Sequence, residues 1–219
     1  MNKLISFALM GAALVSAGCQ KEATPLTVSP ESVTLYCDGT AQITASPAEG
    51  VTYTSDDTFY AAVDDTGLIT AEKVGQTKIT VSSSNGVKSI PVTVMPQYTL
   101  YEDLTPYIGA SLNTITAKYG TNYTTATNKD GSVTYTFKNP TSYVAGLGFN
   151  MEGGKCASAM VAVSTKYLSM LTKYLLERYS VIGMQNDYYF FLNHDKNVTI
   201  TYTLYSLDAL LVLYTPYTN

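Results

Sequence analysis

Between residues 26 and 94 the chain consists almost entirely of short runs broken by turn residues, and this punctuation limits the fold more than any other feature. Leu26-Thr27-Val28, Val33-Thr34-Leu35-Tyr36, residues 41–45, Val51-Thr52-Tyr53, Leu68-Ile69-Thr70 and residues 78–81 and 90–94 are brief, mostly alternating and rich in β-branched side chains. Ser29-Pro30, Asp38-Gly39, Ser46-Pro47, Asp56-Asp57, Asp65-Thr66-Gly67 and Asn85-Gly86 separate them. Alternation at period two sends every second side chain to one face of a sheet. Seven such strands at this spacing predict a β-sandwich. Asn85-Gly86 is the strongest hairpin signal, because both residues tolerate the positive φ of a type I′ turn.

The order of residues in this stretch resembles a bacterial immunoglobulin-like domain of group 2. The resemblance rests on Leu26 with Ser29-Pro30, Val33-Thr34-Leu35, Gly39-Thr40, Val51-Thr52-Tyr53 and Ser55-Asp56. It continues through Ala62-Val63-Asp64, Gly67-Leu68-Ile69-Thr70-Ala71, and Gly75-Gln76-Thr77 followed by Ile79-Thr80-Val81. Tyr53 stands where the family commonly has Trp, and can fill that core slot if its hydroxyl finds a partner. Gly67 and Gly75 are expected to permit the turns that feed the next strands. The resemblance implies a spacer, stalk or adhesive module and brings no catalytic residues. Asp56, Asp57, Asp64 and Asp65 suggest calcium, but paired Asp at turns more commonly forms Asx turns.

Residues 97–219 have a different texture. Sixteen of the nineteen tyrosines lie here, with both helical patterns of the chain. The first pattern lies within residues 106–119, where Ile108, Leu112, Ile115 and Tyr119 recur at spacings of three and four before Gly120. The second, residues 165–179, has a stripe of Leu168, Leu171, Leu175 and Tyr179, widened by Tyr167, Met170 and Tyr174, with Ser164 or Thr165 as its cap. So broad an apolar face needs a sheet against it. Strands are predicted at 123–127, 132–138, 143–151 and 156–164, then at 181–184, 188–193, 198–205 and 209–214. Helix plus four antiparallel strands thus occurs twice, in repeats of about 105–164 and 165–217, with Lys118-Tyr119 matching Arg178-Tyr179 at a period of about sixty residues. The expected product is a mostly β chain: an immunoglobulin-like sandwich (26–96), then an α+β domain (97–219). That domain holds one eight-stranded sheet, or two fused four-stranded sheets, with two helices on one face. The order of elements is similar to the tandem helix-plus-sheet units of β-lactamase inhibitory proteins and BamE-type lipoproteins, a resemblance of topology.

The chain begins with Lys3, an apolar run over residues 4–15 broken by Ser6 and Gly11, and Ser16-Ala17-Gly18 before Cys19. This is the pattern of a secretory signal, too short for a permanent span of about twenty residues. Cys19 after Ala17-Gly18 resembles the bacterial lipoprotein box, with Ser16 where Leu is usual; the plainer alternative is an ordinary signal ending at a cysteine. The resemblance implies cleavage after residue 18, lipidation of Cys19 and a tether over 19–25. Stable anchoring needs two signals, which a diacylated or triacylated cysteine provides. Lys21-Glu22 resembles the charged signal of Bacteroidetes lipoproteins, so the expected location is the outer membrane, facing the cell surface. Without Lys3 the chain carries 12 basic and 17 acidic residues, a balance that argues against nucleic acid. Cys37 and Cys156 fall in different predicted domains and read as two buried thiols rather than a bridge.

Chemistry is sparse. The single histidine, His194, lies in the polar loop Asn193-His194-Asp195-Lys196-Asn197 and reads as a solvated turn residue, with no nucleophile elbow anywhere to serve. Gly146-Leu147-Gly148 lacks the rest of a dinucleotide loop and suits a bulge or a packed ring. Glu152 and Asp187 are the pair a glycosidase would need, but both fall at strand ends or turns. Asn122 and Asn197 begin sequons with no expected use in a bacterial exported protein. No cofactor or metal is expected. What remains is the tyrosines: alternation sends the aromatics of Tyr188-Tyr189-Phe190-Phe191 to both faces of their strand and Tyr202 and Tyr205 to opposite faces of theirs, and an exposed aromatic face drawn from Tyr188, Tyr189, Tyr202 and Tyr205 would suit a glycan or protein ligand, or else pack against the other domain. The reading is a non-enzymatic binding or adhesion module with the C-terminal domain as its contact, the alternatives being a periplasmic assembly lipoprotein or a hydrolase.

Overall fold

The computed structural model describes residues 24–138, 141–185 and 188–217, and of Tyr188 the backbone only. The expected signal and the lipid anchor at Cys19 lie outside the described residues, as does Asp187.

The first domain is a sandwich of nine strands: β1 (Thr27–Ser29), β2 (Val33–Tyr36), β3 (Thr40–Gln42), β4 (Thr44–Ser46), β5 (Thr52–Ser55), β6 (Ala61–Val63), β7 (Leu68–Ala71), β8 (Gly75–Ser83) and β9 (Gly86–Met95). A four-stranded sheet in the order β2-β9-β8-β5 faces a three-stranded sheet β3-β7-β6, and β1 pairs with β4. Alternation delivers Ile79 and Val81 of β8, Ile90, Val92 and Val94 of β9, and Ile69 of β7 to a common core, all at most 2% exposed. The stretch 41–45, expected as one strand, is two, because the chain changes sheets at the buried Ile43, whose N–H donates to Gly67 O at 2.9 Å. The β8–β9 hairpin forms, but its register pairs Ser83 with Gly86, so the two loop residues are Ser84 and Asn85 rather than Asn85 and Gly86. Gly86 keeps a positive φ of 134°, while the turn is held by the Ser83 hydroxyl accepting the Asn85 N–H at 3.1 Å.

The second domain begins at residue 97, and its first residues are already packed: Leu100 and Tyr101 belong to its core. Helix α1 (Leu112–Tyr119) is shorter than the periodicity suggests, because a 3-10 turn at Thr105–Tyr107 and Gly109 at φ 80° precede it. Ser111 caps it by accepting the Thr114 N–H at 3.3 Å. Four strands follow, β10 (Tyr123–Thr127), β11 (Val133–Phe137), β12 (Val144–Glu152) and β13 (Lys155–Ser164). Helix α2 (Leu168–Leu176) comes next, then β14 (Ser180–Gln185), β15 (Tyr188–Leu192), β16 (Val198–Ser206) and β17 (Ala209–Pro216). Neither Ser164 nor Thr165 caps α2 with its side chain; the Thr165 hydroxyl instead donates to Leu207 O at 3.1 Å.

All eight strands form one sheet, β10-β11-β12-β13-β17-β16-β15-β14, antiparallel throughout. Its centre is the β13–β17 pair, with Val161 opposite Val212. Both helices lie on one face, where Ile115, Leu171, Tyr174 and Leu175 pack with Phe137, Phe149, Val161, Val212, Ile200 and Phe191 in a single core. Among the described residues no helix is long and apolar enough to cross a membrane.

Candidate functional site: the open sheet face and the domain junction

The alternation that buries Val161, Val163, Leu210, Val212 and Tyr214 beneath the helices sends their neighbours to the opposite face. Register connects those neighbours into a row that crosses every strand: Thr124, Thr136, Gly148, Met160, Leu213, Thr201, Phe190 and Gly183 stand side by side. A second row runs Gly146, Ala162, Leu211 and Thr203, and a third Ala126, Thr134, Asn150 and Ser158. None of these residues is charged. The expected bulge falls between Val144 and Gly146, while Met160 closes over Gly148, where a Cβ would lie 2.7 Å from the Met160 Cγ, so that glycine admits a methionine and not a ring. Among the described residues no helix covers this face.

The expected site tyrosines do not build it. Tyr202 is 5% exposed and belongs to the helix-side core, so it cannot offer its ring to a ligand. Tyr189 is half-buried on that same side, 5.9 Å from the Phe191 ring. Tyr205 is 73% exposed, next to an irregularity of register between Leu204 and Ser206, and the Tyr188 side chain lies outside the described residues. Most tyrosines are there to fill the core and to satisfy one another. The Tyr101 and Tyr214 hydroxyls lie 2.9 Å apart, the Tyr174 hydroxyl donates to Tyr101 O at 3.1 Å, and the Tyr179 hydroxyl donates to Asp103 Oδ1 at 2.6 Å. Burial pushes all four phenols upward, so they stay protonated.

A second set of polar groups joins the domains. Glu177, at the C-terminal end of α2, is 6% exposed, and its carboxylate accepts the N–H groups of Gln97 and Tyr98, each at 3.1 Å. The Arg178 guanidinium pairs with that carboxylate, donates to Tyr98 O and Tyr174 O at 3.0 Å, and lies 3.9 Å from the Tyr174 ring centre. Helix-terminal carbonyls lack partners within their own helix. Here the Glu177 carbonyl finds them in the other domain, accepting the Val74 N–H at 2.7 Å and the Cys37 thiol at 3.7 Å. Burial, then the Glu177 charge, push the Cys37 thiol up to about 11, so it remains a thiol donor. Cys37 and Cys156 are both free. A cavity of about 420 Å³, lined by Asp38, Lys73, Tyr98 and Lys173 among others, opens beside this contact.

His194 provides the other contact, where its sequence suggested only a solvated turn. Its Nε2 lies 2.8 Å from Asp57 Oδ2 in the sandwich and its Nδ1 lies 3.1 Å from Asp195 Oδ1. The ring centres of Phe59 and Tyr60 lie 4.7 and 5.1 Å from its own. Gly75, at φ 153°, leaves the space Tyr60 occupies, since a Cβ there would overlap the Tyr60 ring. Sequence reasoning had no signal for this contact beyond the presence of aromatic and acidic residues in both loops.

The remaining candidates are local. Asp64 Oδ1 accepts the N–H groups of Thr66 and Leu68 at 2.9 Å, and Asp57 Oδ1 accepts that of Phe59 at 3.0 Å, which are Asx turns. Glu152 sits exposed at the end of β12. No cluster of three or more His, Cys, Asp or Glu positioned to hold a metal occurs among the described residues.

No curated protein matches the chain. Among solved structures, an intimin mutant of EHEC O157:H7 aligns at 17% identity over 61% of this chain and 90% of its own, with a TM-score of 0.29. Domains 5–6 of the S-layer protein SbsC align at 14% identity over 88% of this chain and 83% of theirs, with a TM-score of 0.27. Likenesses this distant carry no functional argument. The family match is the informative one: residues 22–94 match the bacterial Ig-like domain (group 2).

Proposed function

We propose that this protein is a non-enzymatic binding or adhesion module of the bacterial cell surface, with the immunoglobulin-like domain as spacer and the C-terminal domain as contact head. The helix-plus-four-strand order that recurs in the head reads as a duplicated unit whose halves meet at β13 and β17. Lipidation of Cys19 would tether the chain to the outer membrane and leave the head outermost. The observation that carries the reading is the uncharged open face of the head sheet. Antiparallel sheets commonly leave one face to water; here that face mixes Gly, Ala, Met, Leu and Phe with Thr, Ser and Asn and has no charge in its three rows, a texture suited to contact with another protein. Phe190 is the single aromatic in the three rows, which supports a protein partner over a sugar-stacking site.

The test is capture by the full chain, immobilised, from solubilised bacterial envelope protein, set against a glycan array. The reading expects a captured protein that the double variant M160D/L213D loses at least tenfold while staying folded. Capture equal in both, or glycan binding that survives the substitutions, would overturn it. Protease shaving of intact cells bearing the wild type and a Cys19→Ala variant tests the location: a surface lipoprotein is cut, and the variant is released from the membrane fraction.

A further inference from the structure

We propose that the open face of the head sheet binds a second copy of this chain, an assignment that rests on the reading of that face as a contact surface. Register gives the face a symmetry that the sequence alone does not show. In the strand order β10-β11-β12-β13-β17-β16-β15-β14, β12 and β15 each stand two strands from β17, on opposite sides. β12 brings Gly146 and Gly148 to the open face, and β15 brings Phe190, the one ring in the three rows and 36% exposed. A two-fold axis lying along β17 therefore carries Phe190 of each copy toward the glycines of the other. Met160 takes the space above Gly148, so the ring is received at Gly146, one row along. The same rotation sets Leu213 against its own copy, and Met160 against Thr201, because β13 and β16 flank β17. Large meets small on both sides of the axis and leucine meets leucine on it, the self-complementarity that an isologous contact requires.

Charge permits the pairing. Two copies of one surface repel wherever that surface is charged, and no charged residue stands in the three rows. The next residues in the alternation are Lys138 after β11 and Glu152 at the end of β12, both exposed, so charge begins where the rows end. An uncharged centre inside a polar rim is the anatomy of a protein interface.

Size sets the strength. With strands about 4.8 Å apart and rows about 6.8 Å apart, the three rows cover roughly 500 Å² on each copy and roughly 1,000 Å² in the pair. That is the lower limit for a specific interface, so the dimer is reversible, with a Kd on the order of 10 µM. Rotation about an axis parallel to the strands leaves their direction unchanged. Both sandwiches then lie at one end of the pair, the end of the β15–β16 turn where His194 meets Asp57. Two copies tethered in one membrane have this arrangement, and the tether raises their effective concentration.

The test is sedimentation equilibrium of the full chain carrying Cys19→Ala, which removes the expected lipid. It should show one chain mass near about 1 µM and approach two near about 200 µM. Phe190→Ala, outside the core, should weaken association at least tenfold, and M160D/L213D should stay at one mass throughout. A short bismaleimide should join Leu213→Cys chains to one another at the axis. Thr124→Cys lies on β10, four strands from β17, where only three strands stand on the other side, and should join no more than the unsubstituted chain. A single mass at every concentration, association unchanged in Phe190→Ala, or Thr124→Cys joined as readily as Leu213→Cys would overturn the proposal. A single mass together with capture of a different protein that M160D/L213D loses would strike the self-contact and leave the functional reading standing.

Discussion

On the covered face of the head sheet stand Phe149, Val161, Val212, Tyr214 and Ile200; between them, on the open face, stand Gly148, Met160, Leu213 and Thr201. Both sets come from the same strands and share the same backbone bonds. The covered set is aromatic or β-branched and buried, and its one hydroxyl, that of Tyr214, meets the Tyr101 hydroxyl beneath the helices. The open set is small or aliphatic, and its polar atoms are threonine hydroxyls that water can serve. Stability resides in the first face, while the second is free to be used in contact.

The largest effect that tests this division is alkaline. The folded state holds the phenols of Tyr101, Tyr174, Tyr179 and Tyr214 above their ordinary value, burial being the first cause in each. A proton retained by the folded state and lost by the unfolded one stabilises folding below about pH 10. That stability declines as pH rises further. Tyrosinate absorbance at 295 nm should therefore rise together with loss of the head's circular dichroism, in one transition above pH 10, rather than ahead of it. Next comes Phe149→Ala, which empties a fully buried ring position and should cost about 3–5 kcal/mol in denaturant unfolding. Glu177→Ala leaves Arg178 buried without its carboxylate and strips two N–H groups of the head of their acceptor; about 3 kcal/mol is expected in denaturant unfolding, while the carbonyl of residue 177 keeps its bonds to Val74 and Cys37. The smallest effect is Leu213→Ala on the open face, expected below about 1 kcal/mol. If Leu213→Ala proved as costly as Phe149→Ala, the open face would have to be covered by something, and the comparison would fail.

Much of the fold was legible because it is written locally. The runs in 26–94 alternate, their turns carry Gly, Asp and Asn, and Gly67 does adopt the positive φ its turn requires, at 81°. The β8–β9 hairpin was legible to within one residue; Asn-Gly propensity marks a turn but not which pair stands at its centre, which the facing strand decides. In Tyr188-Tyr189-Phe190-Phe191 alternation required aromatics on both sides, and Phe191 is indeed buried while Phe190 lies on the other face. Helix length was overestimated at both sites, since periodicity continues through 3-10 turns that share its spacing.

What the chain determines by itself is which side chains share a face. Tyr202 and Tyr205 had to part company, and Met160 had to lie opposite to Val161, because successive residues of a strand alternate. Which face the helices would cover is a different kind of fact. It depends on where α1 and α2 return over the sheet, and that placed Tyr202 in the core and left Met160 outside. The junction depends still more on tertiary structure. Asp57 and His194, or Val74 and Glu177, are more than a hundred residues apart, and their meeting follows from how two finished domains fit. No local period carries that information, because hydrogen bonds and ion pairs across domains depend on distance in space and not on spacing in the chain.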